Sequence, residues 1–152
     1  MKIWVDADAC PVAVKDIISR AAHRKSVETV FVANKILPLM MSPFISFVQV
    51  DTEPDAADNY IGENAVVGDL VVTQDIPLAH ILVPKNIVVL SPRGLVFTPD
   101  NIGERISMRN LMQDLRDSGE STGGPKPFGD KERREFASAF DRALTKLTLT
   151  KQ

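Results

Sequence analysis

The sequence predicts an α/β fold with three layers and a mostly parallel central sheet. Between residues 3 and 91, short runs rich in β-branched residues alternate with segments in which apolar residues recur every three or four positions. This alternation is typical of strand-helix-strand units, whose parallel strands are covered by helices on both faces. Strands are predicted at residues 3–5, 27–33, 45–50, 66–75 and 86–91.

The helices are predicted from the spacing of their apolar residues. Pro11 opens the first helix, over residues 12–24, and its predicted buried face is Val12, Val14, Ile17, Ile18, Ala21 and Ala22. Further helices are predicted at 55–65, 76–83 and 99–117. The last of these has a predicted buried face made of Ile102, Ile106, Leu111, Met112 and Leu115.

The C-terminal part contains an irregular connection and one more helix. Residues 119–130 are rich in glycine, proline and serine, which predicts a loop. Residues 131–148 follow as an amphipathic helix. Its predicted buried face is Phe136, Ala139, Phe140, Ala143, Leu144 and Leu147. With a small hairpin expected at 93–98, the whole chain, 1–152, is predicted to form a single domain.

The composition favours a compact protein in a reducing compartment. Apolar residues make up 44% of the 152 residues, enough for a sizeable core. No stretch approaches the roughly 18 uninterrupted apolar residues of a membrane span, and no basic segment precedes an apolar signal sequence. The single cysteine, Cys10, has no partner for an internal disulfide. We therefore expect a cytoplasmic protein that does not associate with membranes.

Charge is distributed unevenly along the chain. The net charge is only −2, yet no lysine or arginine occurs between residues 36 and 84, a stretch that contains seven acidic residues. Basic residues predominate after residue 130. The acidic stretch is suited to binding cations, and the basic end is suited to anions.

Aspartates cluster at the ends of the predicted strands. Asp6 and Asp8 end the first strand, Asp75 ends the fourth, and Asp55 and Asp58 begin the helix after the third. Because the carboxyl ends of parallel strands meet at one edge of a sheet, these side chains are expected in one crevice. Carboxylates there repel one another unless a cation neutralises them. Oxygen ligands without histidine or thiolate clusters favour Mg2+ or Mn2+.

Each aspartate also has a purely structural alternative. Asp8 precedes the first helix and Asp55 the second, and an aspartate at such a position commonly caps the helix. Asp75 suits a turn at the end of a strand. Asp58 fits the solvated face of a helix. The argument for a metal site therefore depends on the joint placement of these residues.

Other reaction classes find less support in the sequence. Cys10 lies near the amino end of a predicted helix, but His23 and His80 fall in helices away from it, so a plain buried thiol is expected. The chain has no G-x-S-x-G, G-x-G-x-x-G or Walker motif. Acyl transfer and hydrolysis of nucleoside triphosphates are therefore not indicated.

Several motifs together resemble one protein family. The segments VDADACP, DTEPDAADNYI and GDLVVTQDIPLA, with SPRGLVFT and GGPKPFGDKERREF, are similar to the YaiI/YqxD family of uncharacterised bacterial proteins over nearly the whole chain. The acidic strand ends also resemble those of PIN-like and NYN nucleases. In PIN-type proteins an aspartate closes the first strand, a central helix supplies an acid, and T-x-D closes the fourth strand. Asp6, Asp58, Thr73 and Asp75 match those positions.

The resemblance implies a PIN-like fold and a metal-dependent nuclease, with RNA as the expected substrate. Asp6, Asp58 and Asp75 are the expected metal ligands, with Asp8, which belongs to the YaiI/YqxD pattern, as a further candidate. Thr73 is expected to support a carboxylate or a metal-bound water. The expected contacts to the nucleic-acid backbone are Asn34, Lys35, Lys126, Arg133 and Arg134.

Two alternative functions remain open. The D-A-D sequence at Asp6 and Asp8 also suits a phosphatase of the haloacid dehalogenase type, in which the first aspartate is the nucleophile. The third class is a non-catalytic PIN-like module that binds RNA or a protein partner and retains a structural ion.

Overall fold

A computed structural model describes residues 1–119 and 127–150 of the protein. The strands in these residues are β1 (Ile3–Asp6), β2 (Thr29–Ala33), β3 (Ile45–Gln49), β4 (Leu70–Val72), β5 (Val88–Leu90) and β6 (Val96–Phe97). The helices are α1 (Val12–Lys25), α2 (Ala56–Asn64), α3 (Ile76–Leu82), α4 (Pro99–Asp117) and α5 (Asp130–Thr150), and a 3-10 turn spans Val83–Lys85.

The strands form one sheet in the order β3-β2-β1-β4-β5-β6. β1 to β5 are parallel, and β6 pairs with β5 in the antiparallel direction. The chain moves outward from β1 to β2 and β3, then returns to place β4 on the other side of β1. The direction of winding therefore reverses between β1 and β4. Such a switch point opens a crevice at the carboxyl ends of the two strands, where open α/β sheets bind ligands.

Helices cover both faces of the sheet because side chains alternate along each strand. On β1, Ile3 and Val5 pack in a core that includes α1 and α5, whereas Trp4 packs in a core that includes α2, α3 and the start of α4. On β4, Val72 belongs to the first core and Val71 to the second. The three-layer α/β fold with a mostly parallel sheet is thus confirmed.

The C-terminal helix completes the first core. Phe136 and Phe140 are buried, and their rings stack with centroids 5.4 Å apart. Leu144, two turns after Phe136, is also fully buried. The apolar face predicted for the last helix is confirmed, and the helix begins at Asp130, one residue before the predicted start.

Two predicted apolar faces are wrong in part. Val12 is 77% exposed because it begins α1 ahead of the turns that pack on the sheet. Leu111 is 52% exposed because α4 enters the core mainly at its start, through Ile102. The remaining predicted core residues of α4, Ile106, Met112 and Leu115, are half-buried.

Within the described residues, we find no helix with the length and apolar character needed to cross a membrane.

One acidic residue of the lysine- and arginine-free stretch is part of the core. The Asp69 carboxylate accepts hydrogen bonds of 3.0 Å from the backbone N–H groups of Lys2 and Val66 and from the indole N–H of Trp4. Asp69 is 5% exposed, and these donors compensate the loss of hydration of its charge. Asp69 therefore joins the start of β4 to β1 and takes no part in the crevice.

Gly94 determines how closely α5 approaches the turn between β5 and β6. Its φ is 91°, a conformation that favours glycine, and a Cβ there would lie 2.8 Å from the Glu135 carbonyl oxygen.

We expect Gly94→Ala to lower the free energy of unfolding by at least about 1 kcal/mol in urea denaturation. The control is Gly103→Ala in α4, where a Cβ meets nothing within 4 Å. It should stabilise the protein by about 0.5–1 kcal/mol. Equal effects of the two substitutions would contradict this prediction.

Candidate functional site

The switch point places Asp6 beside Thr73. Because side chains alternate, Asp6 faces the same side of β1 as Trp4, toward α2. Val5 pairs with Val72, so the residues that follow, Asp6 and Thr73, are neighbours across the crevice. Thr73 is fully buried, and its hydroxyl donates a 2.9 Å hydrogen bond to Asp6 Oδ2. The same hydroxyl oxygen accepts a 2.9 Å hydrogen bond from the Asp75 backbone N–H. The T-x-D sequence thus links both strand ends through one side chain.

Asp75 is held at the start of α3. Its Oδ1 atom accepts a 2.7 Å hydrogen bond from the backbone N–H of Leu78, so Asp75 caps this short helix. Its carboxylate also lies with those of Asp55 and Asp58, with one oxygen of each within 4.8 Å of the others. Asp75 therefore both caps α3 and belongs to the acidic cluster.

Asp55 is a residue of the acidic cluster that is not among the expected metal ligands. It occupies the position before α2 with φ of 69°, but its side chain makes no capping hydrogen bond. The Asp55 side chain therefore does not cap α2 by a hydrogen bond, and its carboxylate joins those of Asp58 and Asp75. The spacing of three between Asp55 and Asp58, which places both on one face of a helix, is the signal that pointed to it.

The carboxyl groups of the crevice perturb one another. The pKa of Asp58 is raised to about 8, mainly by burial. A hydrogen bond with Asp75 and the negative charges of Asp75, Asp6 and Asp55 raise it further. Burial also raises the pKa of Asp6, opposed by the hydrogen bond from Thr73 and assisted by the charges of Asp75 and Asp8. None of the ion pairs in the described part of the chain involves these carboxylates. No described cation pairs with these acids, a proton on Asp58 reduces their repulsion, and the cluster is compatible with a metal site.

Asp8 does not cap α1. Pro11 stands at the capping position, and both Asp8 carboxylate oxygens accept the backbone N–H of Asn34, at 3.1 and 2.9 Å. This contact joins the loop after β1 to the loop after β2. The Gln74 side-chain amide donates a 2.7 Å hydrogen bond to the Ala9 carbonyl oxygen and joins the first loop to the end of β4. Asp8 lies at the crevice, and its role as a metal ligand stays a prediction.

Two clefts meet at Asp55 and Asp58. The smaller, of about 210 Å3, lies over the ends of β1 and β2, where Asp6, Asp8 and Asn34 contribute to its lining. The larger, of about 460 Å3, lies beside α2 and α3 and includes Asp75. Its lining also contains Arg109 of α4, a residue that no motif in the sequence singled out.

Of the expected nucleic-acid contacts in the described residues, only Asn34 lines one of the two clefts. Asn34 lines the smaller cleft, and Lys35 is the exposed residue next to it. Arg133 and Arg134 are exposed in the first turns of α5 and line neither cleft. Lys126 lies outside the described residues.

Cys10 is a buried thiol, as expected. Burial raises its pKa to about 12, partly offset by the charge of Lys15. A thiol with this pKa is protonated near neutral pH and is a poor nucleophile. Nor is either histidine placed to activate it, since His23 contacts Ser42 at 2.9 Å and His80 is exposed on α3.

Fold and site together define a class: three-layer α/β proteins with an acidic crevice at the switch point of a mostly parallel sheet. The chain belongs to the YaiI/YqxD family of uncharacterised proteins, whose sequence model matches residues 4–146. Two curated relatives, each called UPF0178 protein, come from Myxococcus xanthus, at 57% identity over 150 residues, and Psychromonas ingrahamii, at 51% over 150 residues. These matches cover 99% of this chain and 98% and 99% of the relatives, respectively. No solved structure matches the chain. The resemblance to the family is confirmed, and the relation to PIN-like and NYN nucleases stays a prediction.

The Thr73 hydroxyl is expected to stabilise the whole crevice. Thr73→Val keeps the shape of the side chain but leaves the Asp75 N–H and the Asp6 carboxylate without their partner. We expect the free energy of unfolding, measured in EDTA by urea denaturation, to fall by about 1–3 kcal/mol. Thr73→Ser retains the hydroxyl and serves as the control. A valine variant as stable as the serine variant would show that the hydrogen bonds contribute nothing.

The stability of the metal-free protein should depend on pH through Asp58. Its pKa of about 8 in the folded protein exceeds the usual 3.8. The folded chain therefore keeps a proton that the unfolded chain loses, and this stabilising effect is complete below pH 4 and lost as the pH rises through 8. In Asp58→Asn no charge can form. At pH 9 the wild type has lost the stabilisation from the Asp58 proton, which we take as roughly 1 kcal/mol of unfolding free energy after allowing for solvent screening. We therefore expect the Tm of the variant to exceed that of the wild type by about 2–4 °C at pH 9.

The same comparison at pH 5 provides the internal reference, because Asp58 is protonated there in the folded protein. The difference in Tm between Asp58→Asn and the wild type should be smaller at pH 5 than at pH 9. Glu104→Gln, an exposed substitution on α4, controls for the loss of one negative charge. A difference that is the same at both pH values would rule out the proposed linkage.

Proposed function

We propose that the protein is a divalent-metal-dependent nuclease that hydrolyses phosphodiester bonds, with RNA as its substrate. The observation that carries this proposal is the convergence of Asp6, Asp58 and Asp75 at the switch point with no cation paired to them in the described residues. The repulsion among these acids can be relieved by a proton, which the raised pKa of Asp58 favours, or by a cation. A bound divalent ion is such a cation.

The chemistry of the donor groups fits Mg2+ or Mn2+. The side chains that would hold the ion are Asp6, Asp58 and Asp75, with Asp55 beside them and Asp8 as a further candidate. All are carboxylates, which hard divalent cations prefer, and no imidazole or thiolate joins the group of acids in the described chain. When bound, the ion would polarise a phosphate, lower the pKa of a water and neutralise charge on the leaving oxygen.

The surrounding residues hold the acids in place for this role. Thr73 orients the Asp6 carboxylate by donating to it, and the Leu78 N–H does the same for Asp75. Because both donors are part of the fold, the two carboxylates keep their orientation without a ligand. Preorganised groups of this kind do not have to reorganise during the reaction, which lowers the barrier.

The nucleic-acid contacts are assigned to two groups of polar and basic residues. Asn34 and Lys35 follow β2 next to the smaller cleft and are proposed to contact phosphates. Arg133 and Arg134 in α5, and Lys126 beyond the described residues, are proposed to contact more distant parts of the backbone. Such contacts position a substrate without reading its sequence. Resemblance to PIN-like and NYN nucleases at Asp6, Asp58, Thr73 and Asp75 supports the choice of reaction.

The proposal is tested by incubating the protein with single-stranded RNA, single-stranded DNA and a panel of phosphomonoesters, with Mg2+ or Mn2+. We expect metal-dependent cleavage of RNA that falls at least about 100-fold in Asp6→Asn and Asp75→Asn, since removing even outer partners of a metal site costs about 10–100-fold. Asp114→Asn, an exposed substitution on α4, is the matched control and should cleave at the wild-type rate.

The other outcomes identify the alternatives. Cleavage that persists in both crevice variants would come from a contaminating nuclease and would overturn the proposal. Turnover of phosphomonoesters with a trapped aspartyl phosphate at Asp6 would favour the phosphatase. Metal binding without turnover of any substrate would favour the non-catalytic binding module.

A further inference from the structure

We propose that the larger cleft, between α2, α3 and α4, binds one unstacked nucleotide next to the scissile phosphate, with Arg109 contacting its phosphate. The inference rests on the proposed nuclease function and specifies its substrate class as single-stranded nucleic acid. Four features of the described residues support it: the charge difference between the two clefts, the lack of an ion pair at Arg109, the apolar wall of α3 and the size of the cleft.

The two clefts on either side of Asp55 and Asp58 differ in charge. Among the described residues, the smaller cleft is lined by no basic residue and by six acidic ones, namely Asp6, Asp8, Asp51, Glu53, Asp55 and Asp58. The larger cleft is lined by four acidic residues, namely Asp55, Asp58, Glu63 and Asp75, and by one basic residue, Arg109. Since every nucleotide carries a negative phosphate, a strand that reaches the crevice finds a positively charged side chain in the larger cleft and not in the smaller one. We therefore expect the substrate to approach from the α3 side.

Arg109 is free to contact a ligand. Its guanidinium makes a 3.4 Å hydrogen bond to the side chain of its neighbour Asn110, and no ion pair within residues 1–119 and 127–149 involves it. It also lines the cleft without contacting the carboxylates there closely enough to form a salt bridge. An arginine presents several N–H donors in a planar fork that matches two phosphate oxygens.

The wall of the cleft along α3 is apolar. Pro77, Leu78 and Ile81 line it, and Ile81 remains 52% exposed although it is a large apolar side chain. Gly62 of α2 also lines the cleft, and a Cβ there would make an ordinary contact with Leu78 Cδ1, at 3.7 Å. This wall offers the flat face of a base or a sugar an apolar surface. Among the described residues, no aromatic side chain lines this cleft, so little selectivity among bases is expected.

The volume of the cleft limits what it admits. At about 460 Å3 it lies in the range of small-molecule pockets and suits a single nucleotide. A duplex keeps its bases stacked and paired inside the helix, so none of them reaches Ile81. Single strands can unstack a base and place it against a protein surface. Single-stranded substrate is therefore preferred over duplex.

The test measures binding and cleavage separately. Binding is followed by fluorescence anisotropy with a labelled, cleavage-resistant 2′-O-methyl RNA octamer in Mg2+, both single-stranded and annealed to its complement. We expect Arg109→Gln to weaken binding of the single strand about tenfold, since it removes a charged phosphate contact. Ile81→Glu should weaken it by a similar factor. Arg105→Gln removes the same charge one turn earlier on α4, outside the cleft, and should change binding less than about twofold.

Cleavage of unmodified RNA separates this inference from the nuclease proposal. If the wild type cleaves, Arg109→Gln should raise KM about tenfold with kcat within about twofold of the wild type, because the contact is made before and during reaction. Binding of Mn2+ should be unchanged in this variant. If the wild type binds the octamer through Arg109 but does not cleave RNA, the cleft inference stands and the nuclease proposal fails.

Three results would overturn the inference while leaving the nuclease proposal intact. The first is cleavage and binding by Arg109→Gln at wild-type levels. The second is an equal loss in Arg105→Gln and Arg109→Gln, which would indicate general electrostatic attraction to α4. The third is binding of the annealed duplex as tight as that of the single strand. Failure of the wild type to bind the octamer at all would overturn it as well.

Discussion

The crevice depends on one buried hydroxyl group. Thr73 accepts a hydrogen bond from the Asp75 N–H and donates one to Asp6 Oδ2, so a single atom connects the ends of β1 and β4. These two strands are adjacent only because the winding of the sheet reverses between them. Without the hydroxyl, Asp75 would keep its hydrogen bond from the Leu78 N–H, but Asp6 would lose the hydrogen bond that connects it to the end of β4. The reversal of the sheet creates the crevice, and Thr73 determines the arrangement of the carboxylates inside it.

Much of the fold follows from local patterns in the sequence. The apolar strands, the amphipathic α1 and the last helix were predicted because their periodicity reflects burial on one or two faces. Val12 and Leu111 were misassigned because periodicity shows which face of a helix is apolar but not how far along its length that face is covered. The limit of α4 burial depends on the neighbouring α3, which no pattern within α4 encodes.

The candidate site was predictable only where strand ends and motifs coincide. Asp6, Thr73 and Asp75 lie at the carboxyl ends of adjacent strands, which topology alone brings together. The role of Asp55 depends on the conformation of its backbone, which the sequence does not specify. An aspartate before a helix can direct its carboxylate to the first N–H groups of the helix, but Asp55 does not. Arg109 lies more than 30 residues after Asp75 on a helix with several other charged residues. Only the packing of α4 against α3 brings it to the cleft.

The hydrogen bond from Gln74 to the Ala9 carbonyl has a consequence for how the crevice adapts to a ligand. Together with the contact between Asp8 and Asn34, it links the loops after β1, β2 and β4 to one another. Asp55 is placed differently, because it ends an exposed segment, residues 51–55, that precedes α2. We therefore expect a change in the spacing of the acids to begin at Asp55, while the linked strand ends keep Asp6 and Asp75 in place.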